Sequence, residues 1–274
     1  MLRGFYTAAA GMMANQRMQE TLSNNMANAY TPGYKADQGT MRAFPELLIE
    51  RMGSKTIPTK NGFKVPDAGH VGSLNTGVYM QEAVPSFIQG DLKETGVGTD
   101  LALVQNEVPD ESGSLFFRVQ NEDGEERYTR NGNFTVDGEG FLTTNHGYYV
   151  LDRNGDPIDT GGMEFKVSKN GELTVGGQAF TLGVSYTSDA SQMVKEGNDL
   201  FRLSEEGSII VNPGEEEGVG YSIHQSHLER SNVDPNRTMT EMMNTYRSFE
   251  MNQRVLKAYD QSMQKAVTEI GRIS

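Results

Sequence analysis

DPNRTMTEMMNTYRSFEMNQRVLKAYDQSMQKAVTEI, spanning Asp234–Ile270, decides the fold of this 274-residue chain. Met242, Phe249, Leu256, Met263 and Ile270 recur every seven residues, and a second seam three residues earlier runs Met239, Tyr246, Gln253, Asp260 and Val267. This is an a/d heptad pattern with polar interruptions in one seam, which a coiled coil tolerates where register matters. Asp234 supplies an N-cap and Pro235 suits the first helical turn. An unbroken helix from Pro235 to Ile270 extends about 54 Å at 1.5 Å per residue. Methionine adapts to unequal neighbours, so Met239, Met242, Met243 and Met263 suit either plain helix packing or contact between subunits.

The other end of the chain repeats the idea. Phe5, Met12, Gln19 and Met26 are spaced by seven, as are Leu2, Ala9, Gln16 and Ser23, which makes one seam largely apolar and the other small or amide-bearing. Thr31-Pro32-Gly33 ends this helix, because proline disfavours helix at the residue before it and glycine turns freely. Asn24, Asn25 and Asn28 crowd the helix end, where their amides can cap free carbonyls or reach a neighbour's backbone. Pro32, Gly33 and Tyr34 then set the direction in which the chain leaves. Two helices longer than the ~30 Å width of a small domain cannot both be wrapped inside one globule. They project, pair with each other, or pair with neighbouring molecules. The apolar start MLRGFYTAAAG is broken at Gly4 and Gly11 and soon turns polar, so a cleaved signal peptide is not expected.

Between the helices the pattern changes to period two with turn punctuation. Asp123-Gly124, Asp137-Gly138, Asn154-Gly155, Asn170-Gly171 and Gly176-Gly177 separate short strand-like runs such as LFFRV, YYVL and AFTLGVSYT. Such pairs favour tight hairpins. The expected organisation is an N-terminal helix over 1–35, an extended linker over 36–79, a β-rich domain over 80–230 and a C-terminal helix over 231–274. The fold class is therefore α+β: two long terminal helices, pairing as a coiled-coil-like module, with an antiparallel β-rich domain inserted between them.

Charge is divided along the chain. Residues 1–60 hold seven Lys/Arg against four Asp/Glu and residues 231–274 hold six against five, whereas residues 61–230 hold 11 against 28. A strongly acidic centre argues against nucleic acid as a partner. Cysteine is absent, which excludes disulfides and thiolate chemistry. No apolar run approaches the ~20 residues of a membrane span. His224 and His227 lie three apart in a segment without helical periodicity, where strand geometry points them to opposite faces. Asp152, Asn154 and Asp156 mimic the start of a calcium loop, but Pro157 and Met163 stand where its glycine and final glutamate belong. Gly96-Val97-Gly98 is the nearest approach to a nucleotide fingerprint and is incomplete. No catalytic residue, metal ligand or cofactor is expected. A polymerising building block and a monomeric surface adhesin with a helical stalk both fit the architecture.

TLSNNMANAYTPGYKAD (Thr21–Asp37) closely resembles the N-terminal motif of flagellar rod and hook proteins. SNVDPNRTMTEMMNTYRSFEMNQRVLKAYDQSMQKA (Ser231–Ala266) resembles the matching C-terminal motif. FIQGDLKETGVGTDLAL (Phe87–Leu103) and RYTRNGNFTVDGEGFL (Arg127–Leu142) are similar to segments of that family's β domain. The stretch from FPELLIERMG to LNTGVYM is similar to one found in the distal-rod group of the family, with a rod paralogue or hook-type axial protein as the alternative. The resemblance implies a stiff tubular polymer with terminal helices inside and β domains outside. Its subunits are implied to leave the cell through the flagellar type III channel without a cleaved signal and to lodge in the basal body beside other rod and hook proteins. Phe5, Met12, Asn24, Asn25, Asn28, Pro32, Gly33, Tyr34, Met242, Phe249, Leu256, Met263 and Ile270 are the expected assembly residues. Phe44-Pro45-Glu46-Leu47-Leu48 resembles the Phe-x-x-x-hydrophobic element with which such subunits dock on the export gate. Phe44 and Leu48 either serve that docking or pin the linker to the β domain.

Overall fold

The computed structural model describes residues 2–57, 63–110, 112–204, 210–211, 213 and 218–272. Helix α1 (Leu2–Ala27) opens the chain and α2 (Pro235–Ile270) closes it. Asp234 caps α2 as its sequence suggests: its Oδ1 accepts from the backbone N–H of Asn236 at 2.9 Å and Arg237 at 3.2 Å. Among the described residues neither helix is long and apolar enough to cross a membrane.

After α1 the chain forms β1 (Asp37–Ala43), β2 (Leu47–Ile57), β3 (Phe63–Leu74) and β4 (Val78–Pro85). Within the stretch 36–79, read above as an extended linker, residues 37–43, 47–57, 63–74 and 78–79 are thus hydrogen-bonded into ladders. Strands β2 and β3 pair antiparallel from Leu47↔Leu74 to Ile57↔Phe63, and β1 pairs with β4. The period-two signal was faint there because glycine and polar residues occupy most positions.

The centre continues through β5 (Leu92–Glu94), β6 (Leu101–Glu107), β7 (Ser114–Gln120), β8 (Glu126–Thr129), β9 (Phe134–Val136) and β10 (Leu142–Thr144). Then come β11 (Tyr149–Val150), β12 (Lys166–Val167), β13 (Glu172–Val175), β14 (Gln178–Thr181) and β15 (Val184–Thr187). Strands β16 (Met193–Gly197), β17 (Leu200–Leu203), β18 (Ile210–Val211), β19 (Gly220–Gln225) and β20 (His227–Glu229) complete it. The main sheet runs β16-β17-β8-β7-β11-β10-β9, with β15 joining β7 and β18. Smaller ladders pair β12-β13-β14, β6 with β19, and β5 with β20. All the named pairings with a printed register are antiparallel, as in Val184↔Phe117 and Leu142↔Val136. The five dipeptides singled out as turns all lie in turns. Gly176 and Gly177, at φ 55° and 89°, form the two-residue loop between Val175 and its partner Gln178, a conformation that glycine adopts without strain.

Two compact units result. One comprises Met1–Ser23, Gly39–Ala83 and Met239–Ser274, and the other Asn24–Gln38 and Val84–Thr238. Burial in the second unit follows strand alternation. Leu115, Phe117 and Val119 of β7 enter a core with Leu142, Ile158, Leu173 and Leu182, while Phe116 packs on Phe201 and Phe87. Both faces of β7 are therefore covered.

In the first unit the burial on α1 falls on Ala8, Ala14 and Leu22, and α1 meets α2 through small residues. The Tyr259 hydroxyl fills the space where a side chain on Gly4 would lie. A Cβ on Gly11 would sit 2.9 Å from Asn252 Nδ2. Residue numbers rise by seven on one helix and fall by seven on the other, so the contacting stretches run antiparallel.

Candidate functional site: a clasp joining the two end motifs

The two motifs at the ends of the chain meet within the second unit. Gly33 takes φ +68°, and its N–H donates to the Glu229 carbonyl at 2.8 Å. Arg130 backbone lies where a Cβ on Gly33 would go, so both conformation and space require glycine. Tyr34 follows, buried against Ala29 and Val233. Its hydroxyl donates to Asn24 Oδ1 at 2.8 Å and to Asn25 Oδ1 at 3.2 Å. Burial, then the charge of Asp37, pushes this phenol well above its ordinary range, so it remains a proton donor.

The asparagines act as backbone readers. Buried Asn25 accepts from the Asp37 N–H and donates to the Asp37 carbonyl, both at 2.8 Å, imitating one rung of a β-ladder. Asn28 donates to the Asn24 carbonyl at 3.0 Å and accepts from Thr31 Oγ1 at 3.1 Å, which caps the helix end. From the other motif, Asn232 accepts from the Ala36 N–H at 2.7 Å and donates to the Ser86 carbonyl at 2.7 Å. Lys195 of β16 donates to the Lys35 carbonyl and to Asp37 Oδ1, each at 2.7 Å, and lies 4.2 Å over the Tyr34 ring.

Beneath this surface lies a buried ionic triad. Lys35, Arg130 and Glu229 come from three distant segments, and each side chain is 1 % exposed. Glu229 Oε1 accepts from Lys35 Nζ at 2.7 Å and from the Gly90 N–H at 2.9 Å. Its Oε2 accepts from Arg130 Nη2 at 2.7 Å and Nε at 3.1 Å. Arg130 also donates to the carbonyls of Leu115 and Leu103, and Lys35 to that of Ile88. Burial works upward on the Glu229 carboxyl, but the Arg130 and Lys35 charges outweigh it and hold the group below the usual carboxylate range. Burial and the nearby Arg130 lower the Lys35 ammonium to about 8, against the pull of Glu229. A carboxylate that meets two cations and a backbone donor is satisfied where an isolated charge would be costly.

The site residues expected from sequence divide between the units. Asn24, Asn25, Asn28, Pro32, Gly33 and Tyr34 gather in the clasp. Phe5 and Met12 are half-buried on α1, and Met242, Phe249, Leu256 and Met263 are half-buried along α2. Ile270 ends α2, and its side chain lies outside the described residues. The partner seam of Met242 is Thr238, Thr245, Asn252 and Tyr259, whereas Met239 and Tyr246 of the seam proposed from sequence are 58 % and 51 % exposed. Apolarity pointed to the latter; small and polar residues on both helices are what permit close approach. The Phe44 ring packs on Tyr79 at 5.0 Å, and Leu48 is exposed.

Lys35, Arg130, Lys195, Glu229 and Asn232 escaped sequence reasoning. No periodicity marks a buried charge; the only hint was that Lys35, Arg130 and Asn232 lie inside the family-like stretches. Asp152 is engaged in a turn, its Oδ1 accepting from the N–H of Asn154 at 2.7 Å and Asp156 at 2.9 Å. Strand alternation does not separate His224 from His227: Ser226, at φ 62°, breaks the strand between them, and the two rings stand edge-on at 5.8 Å, with His227 Nδ1 2.8 Å from the Gln225 carbonyl.

Sequence profiles agree with the placement of these motifs. The profile described as "Flagella basal body rod protein" matches residues 5–35, "Flagellar hook protein FlgE/F/G D1 domain" matches 112–175, and "Flagellar basal body rod FlgEFG protein C-terminal" matches 224–269. The chain is 44 % identical to the flagellar hook-basal body complex protein FlhO of Bacillus subtilis, over 100 % of both chains. It is 28 % identical to the basal-body rod protein FlgG of the same organism, over 97 % of this chain and 98 % of that one. To FlgG of Agrobacterium fabrum it is 29 % identical over 95 % and 96 %. A clasp built from the two terminal motifs, with full-length similarity to rod proteins on either side of it, places the chain in the flagellar basal-body rod protein family.

Proposed function

We infer that this chain is a structural subunit of the flagellar basal-body rod, which works by polymerising and not by catalysis. The observation that carries the reading is the clasp. It holds the end of α1 and the beginning of α2 together within one unit. The Gly4–Tyr259 and Gly11–Asn252 contacts support antiparallel pairing of those helices in seven-residue steps. Within the polymer the helices line the inside and the β-rich unit faces outward. Phe5, Met12, Met242, Phe249, Leu256, Met263 and Ile270 supply packing surface along them. Self-assembly, neighbouring rod and hook proteins and the type III export apparatus are its partners, and the subunit reaches the basal body through the flagellar channel.

Position along the shaft has two readings. The low-complexity stretch after the first motif favours the distal rod. The higher identity to FlhO than to FlgG of the same organism favours a rod paralogue within the hook–basal body complex. Deletion in the parent bacterium, followed by electron microscopy of purified basal bodies, separates them. A shaft stopped within the distal rod supports the first, and one stopped before or beyond the distal rod supports the second. A normal flagellum overturns the rod assignment.

Phe44 and Leu48 are assigned to export docking while the chain is unfolded, since two apolar anchors on a flexible strand can enter a small pocket without prior folding. Phe44→Ala should lower the amount of protein leaving the cell while the purified variant keeps its melting temperature. Unchanged secretion with a lowered melting temperature makes Phe44 a packing anchor.

A further inference from the structure

The turn between β19 and β20 gathers two of the chain's four histidines. Ser226 holds φ 62°, a left-handed conformation that a residue with a Cβ keeps only where its surroundings enforce it. Here they do: its N–H donates to the Asp100 carbonyl at 2.8 Å, and its own carbonyl accepts from the Thr95 N–H at 2.8 Å. The kink sets the half-buried rings of His224 and His227 5.8 Å apart, centre to centre. His227 Nδ1 lies 2.8 Å from the Gln225 carbonyl. A carbonyl only accepts, so Nδ1 carries the proton and the Nε2 of the neutral ring keeps its lone pair. His224 Nε2 approaches Ser222 Oγ at 3.4 Å, too long a contact to hold that ring firmly. Across the ladder, exposed Glu94 is the register partner of His227, so the two side chains leave the same face. Among the described residues no three such side chains already converge on one point. A ligand here is met by two imidazoles and by a carboxylate that turns in from the surface.

We propose that His224, His227 and Glu94 form a binding site for a divalent transition ion of the zinc type, with water completing its shell. The donor set names the class of ion: imidazole suits zinc, copper and nickel, whereas magnesium and calcium select oxygen ligands. Two imidazoles bound to one ion through nitrogens at about 2.0–2.1 Å set their ring centres about 5–6.5 Å apart, depending on the angle at the metal. The 5.8 Å found here falls inside that range. A ligating histidine characteristically donates its other ring N–H to a carbonyl or carboxylate, which fixes its orientation. The Gln225 carbonyl already does this for His227. At longer range the chain's net charge of −13 favours a cation. A bound ion ties β5, β19 and β20 together around the Ser226 kink. Glu229 stands two residues beyond His227, so the strand braced by the metal is the one that carries the carboxylate of the ionic triad.

The purified chain, stripped with a chelator and titrated with zinc chloride in a calorimeter, should bind one ion, and magnesium or calcium should give no comparable heat. Its melting temperature should rise with zinc, because a ligand that binds only the folded state stabilises it. His224→Gln and His227→Gln should each weaken zinc binding by more than the about 10–100-fold that loss of an outer-shell partner costs. Glu94→Gln should weaken it less. His146→Gln, at an exposed histidine between β10 and β11, should leave it unchanged. A chain labelled with nitrogen-15 at histidine tests the site without any substitution: zinc should move the ring nitrogens of two of the four histidines. Binding that survives His224→Gln or His227→Gln, or that Glu94→Gln leaves untouched, overturns the site. So does a titration in which all four histidines move alike or none moves, and so does calcium bound as tightly as zinc. The measurement is made on isolated subunits, so its failure leaves the rod assignment standing.

Discussion

Glu229 shows how much of this protein hangs on single side chains. Its carboxylate accepts from Lys35, Arg130 and the Gly90 N–H in a space closed to water. Glu229→Gln leaves two cations buried without a full counter-charge, and breaking a buried ion pair from one side costs about 3–5 kcal/mol. The loss is measured by denaturant unfolding at pH 7. A pH series gives an independent check. The folded carboxyl titrates below its unfolded value of 4.5, so the unfolded chain takes up the proton first as pH falls. The stabilisation is therefore present above about pH 4.5 and is lost as pH drops through the folded value. The wild type should lose melting temperature more steeply than Glu229→Gln between pH 5 and pH 3, and parallel curves would show that the carboxylate is not the titrating partner. Gly33 is a second such point. Gly33→Ala adds about 1–2 kcal/mol of left-handed backbone strain to a collision with the Arg130 backbone. Its unfolding midpoint should fall further than that of Gly138→Ala, a glycine with open space around it and no positive φ.

At the scale of elements, local chemistry was readable and packing register was not. The N-cap at Asp234, the span of α2 and the five hairpin dipeptides all depend on residues within a few positions of one another, and all were legible. Asp234→Ala should cost about 1 kcal/mol, seen as a lower unfolding midpoint with earlier loss of helical circular dichroism. The helix seam depends on what lies across it. Scoring by apolarity favours Met239 and Tyr246, yet Thr238, Thr245, Asn252 and Tyr259 line up with Met242, because glycines on α1 make room for a tyrosine and an amide. Met242, Phe249, Leu256 and Met263 are half-buried in the single chain, which leaves area for other contacts. Leu256→Asp with Met263→Asp places unpaired carboxylates on that stripe. The pair should abolish incorporation into the rod while the unfolding transition of the β-rich unit is unchanged. Normal swimming by the double variant would remove the stripe from the assembly surface.

At the scale of the whole molecule, composition suggested cutting the chain at residues 80 and 230, where strand-like patterning begins and ends. The clasp supports a different cut. Asn24–Gln38 clusters with Val84–Thr238, and that short segment supplies Lys35 to the triad, Tyr34 to the Ala29–Val233 cluster and the Asp37 rung read by Asn25. Patterning could not reveal this, since the segment has no periodicity and its weight lies in one buried cation, one phenol and one glycine. A fragment spanning 80–230 keeps Glu229 and Arg130 but loses Lys35, Asn232 and Val233. It faces Glu229 with one cation in place of two and uncovers the apolar floor of the clasp. A fragment spanning 24–238 keeps every clasp residue and lacks most of both helices. Calorimetry should show one cooperative transition for 24–238, and for 80–230 a transition at clearly lower temperature with reduced enthalpy. Equal melting of the two fragments would mean that the clasp adds nothing to the fold of the β-rich unit. The cause would then have to be sought in the helices, where the same two motifs continue, and the ionic triad would be an incidental filling of space.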